Sequence, residues 1–261
     1  MRHMSRHETG EKLRDTLNAL AKARSPDHDE RNDAPLLVAL KRWQSERLGQ
    51  SFTGLLADDR YQPAAEFFLS DLYGSGDVSW RDRDVTRVLP TMVRWLPEKA
   101  LVALNGALEL DLISHQQDLL LCEHLPGPSI DTESYARAYR ASCDEALRHR
   151  QIDLIVDVGR ELERLVKVPL ILGVLKLARG PARGAGFGQL QSFLERGFAA
   201  FRHMGPADHF LRTIEQGERQ VMQRLLNQHA DPFGFGQTRS KRQAPPNGAS
   251  GSPRAATPRT T

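Results

Sequence analysis

Three features of the sequence predict an all-α fold: apolar residues recur three and four positions apart over most of the chain, no segment shows the every-second-residue alternation of a half-buried strand, and Pro and Gly fall at intervals that suit helix lengths. The chain has 261 residues, 39% hydrophobic and 26% charged, which is enough to build a sizeable core and excludes disorder throughout. The spacing predicts about eight or nine helices in two packed sub-bundles, followed by a tail.

Residues 1–32 read as an N-terminal arm with a short helix over about 11–23, broken at Ser25-Pro26-Asp27. Residues 33–125 form the first sub-bundle. Asp33 is placed to accept an N–H at the next helix start, and Pro35 to sit in its first turn, where a missing donor costs nothing. Leu37, Leu40, Leu48, Phe52 and Leu55 stripe that helix as far as about Ala57. Pro63 opens an aromatic segment through Phe67, Phe68 and Tyr73, with Gly74 as its left-handed stop and Gly74-Ser-Gly-Asp77 as a turn. Trp80 to Leu96 is helical, and Pro90 marks a kink or a join. A long helix follows from Pro97 to about His124, with Leu101, Leu104, Leu108 and Leu112 on one face, and Pro126-Gly-Pro128 ends it.

Residues 129–235 form the second sub-bundle. Asp131 caps a helical pattern that reaches about Val166 and is interrupted near Ser142-Cys143. Pro169 and Gly180-Pro181 predict further breaks, after which Leu190, Phe193, Leu194, Phe198 and Phe201 stripe a helix ended by Gly205. Pro206 restarts the chain for Phe210, Ile214, Val221 and Leu225. Trp43, Trp95 and the Phe193, Phe198 and Phe201 group occupy core-like positions, and Tyr135 and Tyr139 are spaced to pack on each other.

Residues 236–261 contain Arg239, Lys241, Arg242, Arg254 and Arg259 and no acid, so the formal net charge of +3 resides in the tail and the rest of the chain is slightly acidic. Rich in Pro, Ser and Gly, this tail is expected to be disordered. Its scattered cations lack interleaved aromatics, which favours a solubilising role over contact with nucleic acid. Cys122 and Cys143 are too few for a disulfide framework and form no C-x-x-C pair, and the first ten residues lack an apolar signal core, so a reducing cytoplasm is expected. The apolar run from Val168 to Leu175 is far shorter than the roughly 20 residues a transmembrane helix needs.

Two blocks carry a resemblance: Ala64-Ala-Glu-Phe-Phe-Leu-Ser-Asp-Leu-Tyr-Gly74 with Arg81-Asp-Arg-Asp-Val-Thr-Arg-Val-Leu-Pro90, and Phe193-Leu-Glu-Arg-Gly-Phe-Ala-Ala-Phe-Arg-His-Met204. Together they resemble an uncharacterised family of mainly proteobacterial helical proteins marked by an F-F-L-x-D-L-Y-G segment. The likeness covers roughly residues 34–235. It implies a bacterial, soluble, helical protein and brings no activity, cofactor or catalytic residue with it.

Two candidate sites follow from the residues themselves. The 31 residues from Arg164 to Leu194 contain no acid and five bases, Arg164, Lys167, Lys176, Arg179 and Arg183, around the apolar Val168 to Leu175 run. Gly184, Gly186 and Gly188 lead from them into the next helix, whose free N–H groups suit an anion, although neither a dinucleotide fingerprint nor a P-loop is formed. A core helix with solvated ends is the simpler reading of this segment. The leading functional expectation is a non-catalytic binding or scaffold protein that engages a macromolecular or anionic partner here, without a cofactor. The alternative is a metal-dependent bundle enzyme. Asp111, His115, Asp118 and Cys122 share one helix face, Glu145, His149, Asp153 and Asp157 another, and Asp111, His115, Glu145 and His149 are the first-choice ligands. Charge-paired, solvated faces are the simpler account, because the Glu-x-x-His pair of di-iron bundles is missing. A third expectation is a homo-oligomer formed through the aromatic face around Phe67 to Tyr73. Gly-x-Ser-x-Gly and His-Glu-x-x-His are absent, which removes the commonest hydrolase and metalloprotease signatures.

Overall fold

Ser5 opens the first helix with a reciprocal cap. Its hydroxyl accepts from the Glu8 N–H at 3.2 Å, and the Glu8 carboxylate accepts from the Ser5 N–H at 2.6 Å, which also holds the Glu8 carboxyl below its usual range. The structure, a computed structural model, describes residues 5–72 and 79–235. The resulting helix, α1 (Arg6–Ala23), is longer than the short helix expected, and it is no peripheral arm: Leu13, Leu17 and Leu20 follow helical spacing and are fully buried. Arg6 pins its start by donating to the carbonyls of Val93 and Leu96 at 2.8 and 2.9 Å.

A 3₁₀ turn (Glu30–Asp33) precedes α2 (Pro35–Ser51). Asp33 ends that turn and does not cap α2; Ala34 occupies the cap position without a side-chain bond, and Pro35 takes the first turn as expected. Two short helices, α3 (Thr53–Leu56) and α4 (Gln62–Phe67), are followed by a π-turn over Phe68–Leu72. α5 (Ser79–Trp95) runs through Pro90, and Pro97 caps the 27-residue α6 (Glu98–His124). Asp131 caps α7 (Thr132–Ser142), accepting from the Ser134 N–H at 2.7 Å. Extended backbone at Cys143 makes the expected interruption, and Asp144 caps α8 (Glu145–Leu165). α9 (Pro169–Gly184) restarts at Pro169 but continues through Gly180-Pro181, where a break was expected. α10 (Gly188–Met204) stops at Gly205, whose φ of +71° suits glycine, and α11 (Asp208–Leu226) completes the bundle. No strand occurs among the described residues. Tyr73, the expected stop at Gly74, the turn to Asp77 and the tail from residue 236 lie outside them.

α6 is the hub, packed by α1, α2, α7 and α8. The largest apolar cluster joins Leu37 and Leu40 of α2, Leu119 and Leu121 of α6, Tyr135 and Tyr139 of α7, Ile152 of α8 and Met222 and Leu225 of α11, so it draws on both sides of Pro126-Gly-Pro128. A second cluster gathers Leu55, Phe67, Phe68, Phe201, Met204 and Phe210. Phe67 and Phe68, expected to offer an oligomer face, are therefore buried, and a Cβ at Gly197 of α10 would fall 2.6 Å from the Phe67 ring. Leu13, Leu17, Leu20, Val85, Leu89, Leu101 and Leu108 form a third. Trp43 stacks on Tyr135 at 4.2 Å, and Phe201 is buried with Phe193 and Phe198 half-buried, whereas Trp95 departs from its expected core position and is 69% exposed. Among the described residues, no helix is long and apolar enough to cross a membrane.

Candidate functional site

A chamber of about 130 Å³ lies at the seam between the first and second apolar clusters, lined mainly by α2, α3, α6, α7, α8 and α11. Helical spacing brings its lining to one place. Ser114 and Asp118 are four apart on α6, Tyr135 and Tyr139 four apart on α7, and Arg148, Gln151, Ile152 and Ile155 follow an i, i+3, i+4, i+7 row on α8. Arg47 comes from α2 and Glu218 from α11. The other end is apolar, with Leu55, Ala65, Phe68 and Phe210 buried and Phe52, Leu56, Leu69 and Ile214 half-buried toward solvent.

The polar end contains two buried arginines in different states. Arg47, 8% exposed, offers both terminal nitrogens to the Glu218 carboxylate, at 2.5 and 3.1 Å. Burial alone pulls its guanidinium toward neutrality, but the Glu218 charge overrides this and raises its pKa. Arg148, 6% exposed, has no such partner. Its Nη1 donates to Gln151 Oε1 at 3.1 Å, its guanidinium lies over the Tyr139 ring at 4.7 Å, and its Nε and Nη2 have no hydrogen-bond partner. Gln151 Nε2 donates to Ser114 Oγ at 2.7 Å, and Ser114 Oγ donates to the Leu110 carbonyl at 2.7 Å, so Gln151 is itself held in place. Asp118, 8% exposed, accepts from Gln44 Nε2 at 3.0 Å. Burial raises its pKa against the opposing pull of Lys41, Gln44 and Arg148. Burial likewise raises the Tyr139 phenol, opposed by Arg148. A concave space with an apolar body and a few convergent polar groups is the usual form of a small-molecule site.

The residues singled out in the sequence fall elsewhere. Arg164 pairs with Glu161, Lys167 with Glu163 at 2.7 Å and Arg179 with Glu195 at 2.6 Å, so acids just outside the acid-free window neutralise three of its five cations. Lys176 and Arg183 are exposed, Gly184 ends α9 and Gly186 follows it, both exposed, and Gly188 is half-buried at the start of α10. Ile171 is buried beside Ala103 and Leu165, the core role expected of that helix, but Leu177 is 81% exposed.

Asp111 pairs with Arg24 at 2.5 Å, and His115 Nε2 meets Asn32 Oδ1 at 2.8 Å and the Ala23 carbonyl at 3.2 Å. Glu145 and His149 face one another at 3.7 Å on the outer side of α8, where His149 Nδ1 meets Arg219 at 2.9 Å. The four first-choice ligands are thus split between two sides, and among the described residues no three His, Cys, Asp or Glu gather as a metal site would need. Cys122 is a buried apolar-like thiol, pushed up to about 11 by burial and by Asp118.

Arg47, Arg148 and Glu218 escape sequence reading. Arg148 sits in Arg148-His149-Arg150, which looks like a solvated face, and only its place one helical turn before Ile152 and two before Ile155 hints that it points inward.

Fold and chamber define an all-helical protein with a charged interior space. A family model matches residues 23–232, and the chain belongs to that family, described as a domain of unknown function (DUF8198). No curated protein and no solved structure matches the chain.

Both partners of His115 Nε2 are acceptors, so Nε2 carries the proton and the buried Nδ1 is bare. Burial, with the charges of Lys41 and Arg24, lowers its pKa from 6.5 to about 4, against the Ala23 carbonyl and Asp111. A base depressed in the folded state contributes fully above its unfolded value, and that contribution is lost as pH falls from 6.5 toward 4, by up to about 3 kcal/mol. Urea unfolding at a series of pH values should show wild type losing this stability relative to His115→Gln across that window. Parallel pH curves for the two proteins would contradict the assignment.

Proposed function

We propose that the protein is a non-catalytic binding protein that holds a small organic molecule in the chamber. The observation that carries this reading is Arg148, a buried cation with two unpartnered donors at the wall of a cavity. An unsatisfied buried charged donor costs at least about 1–3 kcal/mol, a penalty that a bound acceptor removes. The size fits a compact ligand, since a dry cavity of about 150 Å³ accommodates benzene. Tyr139, a buried phenol of the chamber lining, is shifted away from ionisation by burial, which suits binding better than nucleophilic chemistry. A reducing cytoplasm suits two cysteines, Cys122 and Cys143, that stand as free thiols.

A second reading keeps the macromolecular or anionic partner on α9, in the form of an anionic surface, since Lys176, Leu177 and Arg183 are all exposed there. Sedimentation with phosphatidylglycerol vesicles tests it. Binding that is lost in a Lys176→Glu, Arg183→Glu double variant supports it, and no binding by wild type removes it.

For the chamber, the measurement is a thermal-shift screen with neutral and charged organic molecules of about six to ten heavy atoms, from benzene-sized compounds to ones that reach the half-buried rim. At least one compound should raise the melting temperature by several degrees. Ala65→Leu, which grows into the apolar end, should fold as stably as wild type and lose that shift. A flat screen, or a shift that survives Ala65→Leu, would remove the proposal.

A further inference from the structure

The geometry points to a more specific ligand: a small organic carboxylate whose head is gripped by the Nε and Nη2 edge of Arg148 and whose apolar body lies toward Phe52, Phe68 and Ile214. This inference rests on the chamber reading and names the chemistry of its occupant.

A guanidinium presents its five N–H groups as a planar fork, and each edge matches the two oxygens of a carboxylate. In Arg148 the two edges are in different states. Nη1 is engaged by Gln151, and Gln151 is fixed by Ser114, so that side of the plane is set by the protein. Nε and Nη2 lie together on the opposite edge, point their donors the same way, and are the two atoms left without a partner. The guanidinium carbon also lies over the Tyr139 ring, 4.7 Å from its centroid. The outcome is a preset, unpartnered, two-pronged donor more than nine-tenths buried.

Arg47 provides an internal comparison. It is buried to a similar degree in the same lining, and its terminal fork is filled in the two-pronged manner by Glu218. Arg148 has no equivalent: Asp118, the other carboxylate of the lining, is held by Gln44 and forms no hydrogen bond to Arg148. With Arg47 and Glu218 offsetting one another, and burial favouring the neutral form of Asp118, a monoanion is the charge that completes the site. An inorganic oxyanion would meet the fork but leave the apolar end unfilled, so the body must be hydrocarbon of about six heavy atoms, judged by the benzene-sized space. A bidentate charge-assisted pair in this setting gains over a neutral amide, which offers one acceptor and places an N–H donor against Nε or Nη2.

Isothermal titration of the full-length chain with hexanoate, benzoate, hexanamide, benzamide and inorganic phosphate tests the assignment. The carboxylates should bind at least tenfold more tightly than their amides and than phosphate. Arg148→Met should abolish that preference, and Arg148→Lys, which keeps the charge and loses the fork, should weaken carboxylate binding at least tenfold, with circular dichroism confirming that each variant folds. If Arg148→Met does not fold, the Arg148→Lys titration decides. Equal binding of carboxylates and amides would overturn the carboxylate assignment while leaving the chamber reading intact. Failure of all five probes would overturn both. A preference that persists in Arg148→Met, or is undiminished in Arg148→Lys, would put the head group elsewhere and overturn the inference, as would tighter binding of phosphate than hexanoate.

Discussion

α6 is packed by four other helices, α1, α2, α7 and α8, and the burial of its packed faces organises the molecule. A helix in that position must place its polar side chains against neighbours, because water is not available to satisfy them. Asn105, His115, Gln117 and Asp118 are all buried on α6, and three of them are met by different parts of the chain that precedes it. α1 brings Thr16 to Asn105, the connection before α2 brings Asn32 to His115, and α2 brings Gln44 to Asp118. Gln117, wholly buried, has no partner for either amide atom, so the accounting is incomplete even within the hub.

The two buried arginines show how the same chemistry can serve two ends. Arg47 and Glu218 tie α2 to α11 across the chamber, and an ion pair buried this well is costly to break, by about 3–5 kcal/mol when one partner is removed. Arg148 is oriented with similar care by Gln151, Ser114 and Tyr139, yet its outward edge is left open. Orientation without satisfaction is what preorganised recognition requires: the cost of positioning the donor is met during folding and not at the moment of binding.

Much of the scaffold was legible in the sequence because it is written in local chemistry. Ser25-Pro26-Asp27, Pro97, Asp131 and Gly205 act on the residues next to them, and the boundaries they mark are observed within a few positions. Three local signals misled. Gly180-Pro181 lies inside α9, Asp33 ends a 3₁₀ turn, and Trp95 faces solvent despite its size. The site was far less legible. The acid-free stretch from Arg164 to Leu194 looked strongly basic in a linear count, yet Glu161, Glu163 and Glu195 stand one turn beyond its ends or on the next helix and cancel most of it. Asp111 and His115 share a helix face, but Arg24 and Asn32 claim them. The chamber depends on residues 171 positions apart, Arg47 and Glu218, and no spacing rule along one helix can reveal such a pair.

The central claim is that Arg148 is a fixed, buried cation with an open donor edge. Nuclear magnetic resonance of the arginine Nε–H groups tests it most directly, with the Arg148 signal assigned by its loss in a variant. The account predicts a separate Nε–H resonance that exchanges slowly with water at neutral pH and moves downfield when hexanoate is added to saturation. An Arg148 Nε–H that exchanges as fast as those of surface arginines, or one that does not move at saturating hexanoate, would contradict it.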